Sequence, residues 1–370
     1  MMKVTLPATT VTLIAPGLSD PDPMSAAVPI EQAITTPALA AWPELTWQSC
    51  ERLPWETVLL RALGYSTSTA GAVPAMQSYR SGGKPGELPD TTADVPATVA
   101  IEAVCADPVH LQADLDDAVL IPPEALHLSM EETLSLQSNI NELLISDGLR
   151  IQTDRDNPCR WILTGFKAQR AAAAELDPAR LDTWPTHAVA RRNLTQYLPA
   201  GESMAGWRRL MTELQMLLHN HPVNEQRLRR GQLMVNGVWM WGGAALPKIT
   251  ARTAVRLVAT DADATGIARA LGIKPDSDGQ DLAATLTGAR LAGESILIVD
   301  LGFYNAWLVG DNEAMQMARA AIETNWLIPV KSAVKTRKVS RFIMDTAEGY
   351  QAVAVSKPRC LSLLSRWISS

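Results

Sequence analysis

The stretch that decides the fold is SILIVDLGF, residues Ser295–Phe303. Its near-continuous apolar run is typical of a strand that is covered on both faces within a parallel sheet. The flanking segments continue an alternation of strand and helix. AVRLVATDADATGIARALGI (Ala254–Ile273) predicts a strand, a loop and a helix, and GDNEAMQMARAAIETNW (Gly310–Trp326) predicts a helix that Asp311 caps. This alternation predicts a layered α/β core with a mostly parallel sheet.

The first hundred residues supply two further elements. TVTLIAPG (Thr10–Gly17) predicts a short buried strand that ends in a Pro-Gly turn. WETVLLRALGY (Trp55–Tyr65) predicts a helix, because its apolar residues share one face and a glycine stands where the helix would end. Residues 66–96 are rich in Ser, Thr, Gly and Pro, which indicates a long loop and a domain boundary.

Residues 96–229 predict a small α+β unit. Ser129 and Glu132 have the spacing of a capping box at the start of a helix. CRWILTG (Cys159–Gly165) predicts a strand, and the apolar residues between Glu202 and Leu218 recur with the period of a helix.

Composition narrows the class of function. The chain has 370 residues, a net charge of −6 and 47% hydrophobic residues, which suits about two domains and argues against nucleic acid as a partner. KSAVKTRKVSR (Lys331–Arg341) is a local basic run that we interpret as a guarded strand edge. No apolar run reaches bilayer length, the start lacks the layout of a signal peptide, and the four cysteines lie far apart. We therefore expect a cytoplasmic protein without a membrane partner.

The densest polar stretch is HNHPVNEQRLRRGQLMVNGVWMWGGA, residues His219–Ala244. Within it, Asn224 is placed to cap a short helix, EQRLRR, and a helix N-terminus beside guanidinium groups favours an anion. The stretch predicts a phosphate or carboxylate site. Its candidate contacts are Asn224, Arg227, Arg230, Asn236 and His221, with Arg191 and Arg192 as a second basic pair. The alternative is a capped surface helix with solvated arginines.

Three aspartates mark a second candidate position. Asp261, Asp263 and Asp300 follow predicted strands at their carboxyl ends, where open α/β sheets usually bind ligands. They are equally suited to ordinary turns and helix caps. His219 and His221, spaced by one residue, are a weak metal pattern, and structural histidines are the favoured interpretation.

Several segments resemble the archaeal-type, cofactor-independent phosphoglycerate mutases. LLHNHPVNEQRLRRGQLMVNGVWMWGGAALP (217–247) resembles the family segment that ends in Asn-x-x-Trp-x-Trp-Gly, and the strand–helix segments after it are similar to the family's later elements. A closer resemblance, which includes DPVHLQAD (107–114) and CRW (159–161), is to proteobacterial proteins labelled RpfE-type regulatory proteins. The resemblance implies an alkaline-phosphatase-like α/β core formed by residues 1–95 and 230–370, with residues 96–229 as an inserted α+β cap domain.

The chain departs from this family at its catalytic positions. The family enzymes use two divalent metals and a serine nucleophile. Pro16 stands where the first metal-binding aspartate is expected, Trp55-Glu56 stands where Ser-Asp of the nucleophile turn is expected, and Tyr304–Asp311 contains no histidine where the family has Asp-x-x-Gly-His. All five histidines lie between residues 110 and 221, so the predicted core has none, whereas a two-metal site needs imidazole as well as carboxylate ligands.

We therefore expect a non-catalytic regulatory or binding protein without a catalytic residue, metal or cofactor. Its expected partner is a phosphorylated small molecule or another protein. The first alternative is a metal-dependent phosphoglycerate mutase or phosphatase with relocated ligands, drawn from Asp261, Asp263, Asp300, His219 and His221. The second alternative is a structural or partner protein that uses a Trp-rich surface and has no small ligand.

Overall fold

The structure, a computed structural model, describes residues 9–18, 36–66, 103–113, 118–153, 157–166, 176–178, 181, 183–242, 248–249, 254–259, 261, 264–265, 267–268, 273–276 and 281–356. Its strands are β1 Thr9–Ile14, β2 Thr46–Ser49, β3 Tyr65–Ser66, β4 Ala103–Ala113, β5 Ala118–Ile121, β6 Arg150–Thr153, β7 Trp161–Thr164, β8 Gly237–Trp241, β9 Lys248–Ile249, β10 Val255–Ala259, β11 Ser295–Val299, β12 Val339–Asp345 and β13 Tyr350–Val355. Its α-helices are α1 Pro37–Ala40, α2 Trp55–Ala62, α3 Met130–Leu144, α4 Thr186–Val189, α5 Ala205–His219, α6 Pro222–Arg229, α7 Leu282–Ala292, α8 Gly302–Val309, α9 Asn312–Ile322 and α10 Ile328–Lys335.

The larger sheet has six strands in the order β10-β11-β1-β12-β13-β2. The first four strands run parallel to their neighbours, and β13 and β2 are antiparallel additions at one side. The apolar run of β11 lies between β10 and β1, with Ile296–Val299 buried, because strand and helix layers cover both faces of the sheet there. The predicted α/β class with a mostly parallel sheet is confirmed.

The smaller sheet joins β5, β4, β7 and β6, and β8 pairs with β4. The predicted boundary at residues 229 and 230 therefore does not coincide with the change of sheet, since Gly237–Trp241 belongs to the smaller one. Alternation along β8 explains this placement. Val238 and Met240 pack into the core beneath the smaller sheet, while Trp239 and Trp241 point into a core that both sheets share.

The shared core joins the two parts of the molecule. It contains residues from the larger sheet, from α2 and α8, and from the smaller sheet, including Ile14, Leu59, Trp307, Cys105 and Trp241. A second core lies on the opposite face of the larger sheet, where α7 and α10 pack. The carboxyl ends of the parallel strands thus face the segment that carries the smaller sheet.

Most of the helices and strands that the local sequence patterns predict within the described residues are present in the structure. The capping box is present: Ser129 Oγ accepts from the Glu132 amide, and the Glu132 side chain accepts from the Ser129 amide. The structure confirms β1, α2, β7 and the Asp311 cap of α9. Of the loop predicted at 66–96, Ser66 belongs to β3, and residues 67–96 lie outside the described residues. Asp263 and most of the helix predicted after Asp261 lie outside them as well.

The interpretation of Lys331–Arg341 as a strand edge is wrong. Its first five residues end α10, and the strand that follows, β12, is an interior strand paired with β1 and β13. Lys335 lies in the last turn of α10, where a cation is favoured by the helix dipole.

One strand of the smaller sheet has its outer edge bound by a side chain. Asn141 of α3 donates from Nδ2 to the Ile151 carbonyl at 2.9 Å, and its Oδ1 accepts from the Ile151 amide at 2.7 Å. A single carboxamide thereby makes the two hydrogen bonds that a neighbouring strand would make at that residue of β6.

Candidate functional site

The carboxyl ends of the four parallel strands form the first candidate site. The segments that follow them are Ala15–Leu18 after β1, the turn at Asp261 after β10, Asp300 after β11 and Asp345–Ala347 after β12. Gly17 has a left-handed φ of 73°, and its Cα faces the ring of Tyr304, so a side chain there would be strained and crowded. Open α/β sheets bind ligands at this edge.

The aspartates at this edge are held by nearby donors. Asp300 Oδ2 accepts from Trp326 Nε1 at 2.8 Å, and its Oδ1 accepts from the Gly302 amide at 3.0 Å. Asp261 Oδ2 accepts from Asn305 Nδ2 at 2.9 Å. These carboxylates accept hydrogen bonds that hold the loops after the strands to the neighbouring helices.

Asp345 at the end of β12 is buried. Its carboxylate accepts from the Ala347 amide at 2.8 Å and from Gln351 Nε2 at 2.6 Å. Burial raises the pKa of the Asp345 carboxyl, although the two hydrogen bonds act in the opposite direction.

The start of α2 brings an acidic side chain to the same edge. The Leu53 amide donates to the carbonyl of Ala347, which fixes the start of α2 beside the end of β12. Pro54 then precedes the helix, and Trp55 and Glu56 occupy its first turn. Both side chains are buried, and Glu56 is 0% exposed. A carboxylate in the first turn of a helix is favoured by the helix dipole.

The partner of Glu56 comes from α4. His187 Nε2 lies 2.8 Å from Glu56 Oε1. Three aromatic rings surround the imidazole, with centroid distances of 6.2 Å to Trp55, 5.9 Å to Trp241 and 5.8 Å to Tyr304. We call these five residues the carboxyl-edge cluster. It brings an imidazole to a core whose own segments contain none.

The backbone and neighbours of His187 are also held. Tyr304 donates from its hydroxyl to the His187 carbonyl at 2.8 Å. Burial raises the pKa of the Tyr304 hydroxyl well above its usual range, so the hydroxyl remains a donor. On the other side, buried Asp107 accepts from Thr186 Oγ1 and Trp241 Nε1, each at 2.6 Å. These contacts place α4 over the carboxyl edge.

An ion cluster beside it joins the same two parts of the chain. Glu348 Oε2 lies 3.0 Å from Arg52 Nε and 2.5 Å from an Arg192 guanidinium nitrogen. Arg52 also donates to the Ala188 carbonyl at 2.8 Å and to the Tyr197 hydroxyl. Arg192, predicted as an anion contact, therefore has an internal carboxylate as its partner in this structure.

The predicted polar segment forms a different arrangement. The prediction that Asn224 caps the helix is wrong, because α6 begins at Pro222 and His221 is the N-cap. His221 Nδ1 accepts from the Val223 amide at 3.2 Å, and Pro222 at the first helical position lacks the amide that would need a partner. Burial lowers the pKa of the His221 imidazole, which favours the neutral ring that this acceptor role requires.

Asn224 and Arg227 are buried and bound to the backbone. Asn224 Nδ2 donates to the carbonyls of Leu218 and Val235, and its Oδ1 accepts from the Val235 amide at 2.8 Å. Arg227 is 1% exposed. Its three partners are the Leu233 carbonyl at 2.7 Å, the Leu126 carbonyl at 2.6 Å and Glu132 at 2.9 Å.

The remaining predicted contacts lie apart from one another. Asn236 binds both backbone groups of Leu111, at 2.7 and 2.9 Å. Arg230 is 61% exposed and lies 4.0 Å from Glu132. Arg191 lies over the Trp307 ring, 5.8 Å from its centroid. We call Asn224, Arg227 and Asn236 the clamp residues, because each fixes a backbone segment; their role as anion contacts stays a prediction.

The described residues do not fit the two-metal centre that the family resemblance implies. Within the described ranges, no group of three or more His, Cys, Asp or Glu side chains is placed to hold a metal ion. Asp261 and Asp300 are engaged by an amide side chain and an indole, and Glu56 contacts an imidazole that lies among three aromatic rings. His219 is the last residue of α5, and His221 is the N-cap of α6.

Sequence reasoning missed most of the carboxyl-edge cluster. The sequence marks Glu56 only as part of the Trp55-Glu56 departure from the nucleophile turn, and it marks His187 only as one of five histidines. Asp107 and the Arg52–Glu348 pair were not singled out. The one available signal was Glu56 itself, because a carboxylate among the apolar residues of WETVLLRALGY requires a buried partner.

Comparisons with known proteins point to one enzyme family over a short part of the chain. No family model matches the chain. It is 32% identical over 65 residues to a probable 2,3-bisphosphoglycerate-independent phosphoglycerate mutase of Geobacter sulfurreducens, which covers 18% of this chain and 16% of that protein. It is 31% identical over 72 residues to the corresponding enzyme of Methanosarcina barkeri, which covers 20% and 18%. The matches thus span less than a fifth of these relatives.

Two solved structures align with nearly the whole chain. The PH0037 protein from Pyrococcus horikoshii matches with a TM-score of 0.46 and 13% identity, over 95% of this chain and 88% of that one. The cofactor-independent phosphoglycerate mutase from Thermoplasma acidophilum matches with a TM-score of 0.35 and 14% identity, over 95% and 90%. Among the described residues, no helix combines the length and apolarity needed to cross a membrane.

Proposed function

We propose that this chain is a non-catalytic binding or regulatory protein built on a phosphoglycerate-mutase-like scaffold. The scaffold is supported by the partial sequence similarity to cofactor-independent phosphoglycerate mutases. We propose further that residues 96–229 correspond to the inserted cap and that the chain is related to the RpfE-type regulatory proteins.

The observation that carries the proposal is that buried side chains fill the space at the carboxyl ends of the parallel strands. Where the resemblance expects Ser-Asp of the nucleophile turn, the chain has Trp55-Glu56, so the serine position is taken by a buried indole. Glu56 beside it is fully buried and contacts His187. Three rings close the space around the pair. A phosphoryl group would need to reach a nucleophile here, and the chain's own side chains fill that approach.

The aspartates at the carboxyl ends of the strands also have structural partners. A phosphoryl-transfer site needs groups that stabilise the charge developing in the transition state, and metal ions usually supply them. Asp261 and Asp300 accept hydrogen bonds that hold loops and helices in place. A metal at either residue would have to displace these donors.

The proposed ligand is a phosphorylated small molecule or a protein. For the small molecule, Arg191 and Arg192 are the better candidates among the predicted contacts, because they lie beside the carboxyl edge, near Trp307 and Glu348. Asn224 and Arg227 would first have to release backbone partners. A guanidinium pair is suited to phosphate or carboxylate.

An activity assay tests the non-catalytic part. The purified chain is given 3-phosphoglycerate, and separately p-nitrophenyl phosphate, with manganese, magnesium or cobalt, beside an active cofactor-independent mutase as the positive control. We expect no turnover above the blank and no stoichiometric metal by elemental analysis. Metal-dependent turnover that Asp300→Asn abolishes would contradict the proposal and favour the relocated-ligand enzyme.

A melting experiment tests the ligand. A phosphate ester at a hundredfold over its Kd should add about 2.7 kcal/mol to the free energy of unfolding. Arg191→Gln should remove that gain, whereas Arg209→Gln, a change in an exposed arginine of α5, should keep it. A flat titration across phosphate esters would leave the protein partner as the form to pursue by co-purification from the native cell.

A further inference from the structure

We propose that the space around the Glu56 carboxylate is a binding site for one organic cation of imidazolium size, and that His187 occupies it in this structure as a tethered ligand. The proposal goes beyond the proposed function. It concerns a cation at Glu56 rather than an anion at the arginines, and it holds whether or not the chain catalyses a reaction.

The first support is the incomplete pairing of a buried carboxylate. Glu56 is 0% exposed, and within the described residues neither of its oxygens has a hydrogen-bond partner of good geometry. Its close contact is His187 Nε2 at 2.8 Å. Buried carboxylates are normally satisfied by several donors, so a carboxylate with a single such contact among the described residues is unusual for a purely structural group.

The second support is the shape and chemistry of the enclosure. The rings of Trp55, Trp241 and Tyr304 lie at 5.8 to 6.2 Å from the imidazole centroid. Two of these pairs are T-shaped, with interplanar angles of 88°, so the edge of one ring meets the face of the other, and the Trp55 pair is tilted by 36°. Aromatic rings with one carboxylate form a cage that selects a small, flat or rounded cation over a neutral or anionic molecule.

The third support is the way in which α4 holds the imidazole in position. It is presented by the four-residue helix α4, which is held by the Tyr304 hydroxyl at the His187 carbonyl and by Asp107 at Thr186. A tethered group has an effective local concentration in the millimolar range or above. A free cation therefore competes poorly while His187 is present, and the site opens when that side chain leaves.

The experiment removes the tethered ligand and supplies it free. In the full chain carrying His187→Ala, 4-methylimidazole reproduces the missing side chain. Titration is followed by calorimetry and by melting temperature in a buffer at which the probe is protonated. We expect the variant to bind the probe at least about tenfold more tightly than the unchanged protein, because the internal competitor is gone. 4-Methylthiazole, a neutral ring of similar shape, should bind much more weakly.

Two variants decide the interpretation. His187→Ala with Glu56→Gln should lose the preference for the cation, since the carboxylate is the proposed anchor. His127→Ala, which removes an exposed histidine, should bind the probe no better than the unchanged protein. If His187→Ala does not fold, His187→Asn is used, because it keeps part of the side-chain volume and still removes the imidazole from the space between the rings.

The overturning results are equally definite. A folded His187→Ala protein that shows no affinity for 4-methylimidazole would end the proposal. So would equal binding of the probe and its neutral analogue, or binding that persists in full after Glu56→Gln. None of these readouts depends on mutase activity, so failure here is distinguishable from failure of the proposed function.

Discussion

The clamp residues and the carboxyl-edge cluster are both buried and polar, but they are satisfied in different ways. Arg227 and Asn224 bind mainly backbone carbonyls and amides, at 2.6 to 2.9 Å. Glu56, in contrast, has one close contact, with the imidazole of His187, which lies among aromatic side chains. The first set fixes the course of the chain, whereas the second buries a carboxylate that has few partners among the described residues.

The difference shows how to weigh polar density in a sequence. A run such as HNHPVNEQRLRRGQ looks like a site because it concentrates hydrogen-bonding groups. Such groups are often needed to satisfy backbone atoms where helices and strands meet irregularly. A buried charge with few partners is a better indication of a binding site, because its cost must be offset elsewhere.

The largest expected effect is the loss of an internal clamp at Arg227. Arg227→Met removes three hydrogen bonds and leaves Glu132 and the carbonyls of Leu126 and Leu233 without this donor. We expect the free energy of unfolding to fall by about 3–5 kcal/mol, as for other broken buried pairs. Urea denaturation followed by tryptophan fluorescence measures it.

Arg230→Met is the matched control, because the exposed Arg230 lies 4.0 Å from the same glutamate. We expect a change within about 0.5 kcal/mol, as for most surface substitutions. If the two variants lost the same free energy of unfolding, the distinction between a buried clamp arginine and a solvated arginine would be wrong.

A smaller effect is expected at Tyr304 in the carboxyl-edge cluster. Tyr304→Phe keeps the ring beside His187 and removes only the donor to the His187 carbonyl. Leaving that carbonyl without its partner should cost about 1–2 kcal/mol, which is measured by the same denaturation curves. A loss as large as that of Arg227→Met would show that the carboxyl-edge cluster is as essential to the fold as the clamp residues.

The smallest effect is a change in how stability depends on pH at Asp345. Burial raises the pKa of this carboxyl in the folded protein. The folded state therefore keeps its proton to higher pH than the unfolded chain. The stability gained from that proton is complete below the unfolded pKa of about 3.9 and is lost as the pH rises through the folded-state pKa.

Asp345→Asn mimics the protonated group and should remove this loss. We expect the stability of the variant, relative to the unchanged protein, to increase from acid to neutral pH. Urea midpoints between about pH 4 and pH 7 measure the trend. A difference that stays constant across the range would show that the buried carboxyl does not hold its proton more tightly in the folded state.

Much of the fold could be predicted because its signals are local. A few neighbouring residues are enough to predict the capping box at Ser129, the Asp311 cap and the strand at Ser295–Val299. The N-cap of α6 is an exception: Asn is the commoner capping residue, which favours Asn224, but Pro222 takes the first helical position and makes His221 the cap.

The candidate site could not be predicted in the same way, because its contacts join distant parts of the chain. The count of histidines correctly placed none in the outer segments, but the fold carries His187 to Glu56 across the molecule. Arg52 and Glu348 likewise meet only after β12 and α2 are in place. No spacing in the sequence encodes such pairs.

The carboxamide of Asn141 also has a consequence for how molecules meet one another. An outer strand with bare amides and carbonyls invites a second chain to add to it, which is how sheets grow into aggregates. At Ile151 both groups are already taken, and β6 is only four residues long. An incoming strand would find no continuous ladder to extend, because one amide side chain already occupies the backbone groups of Ile151.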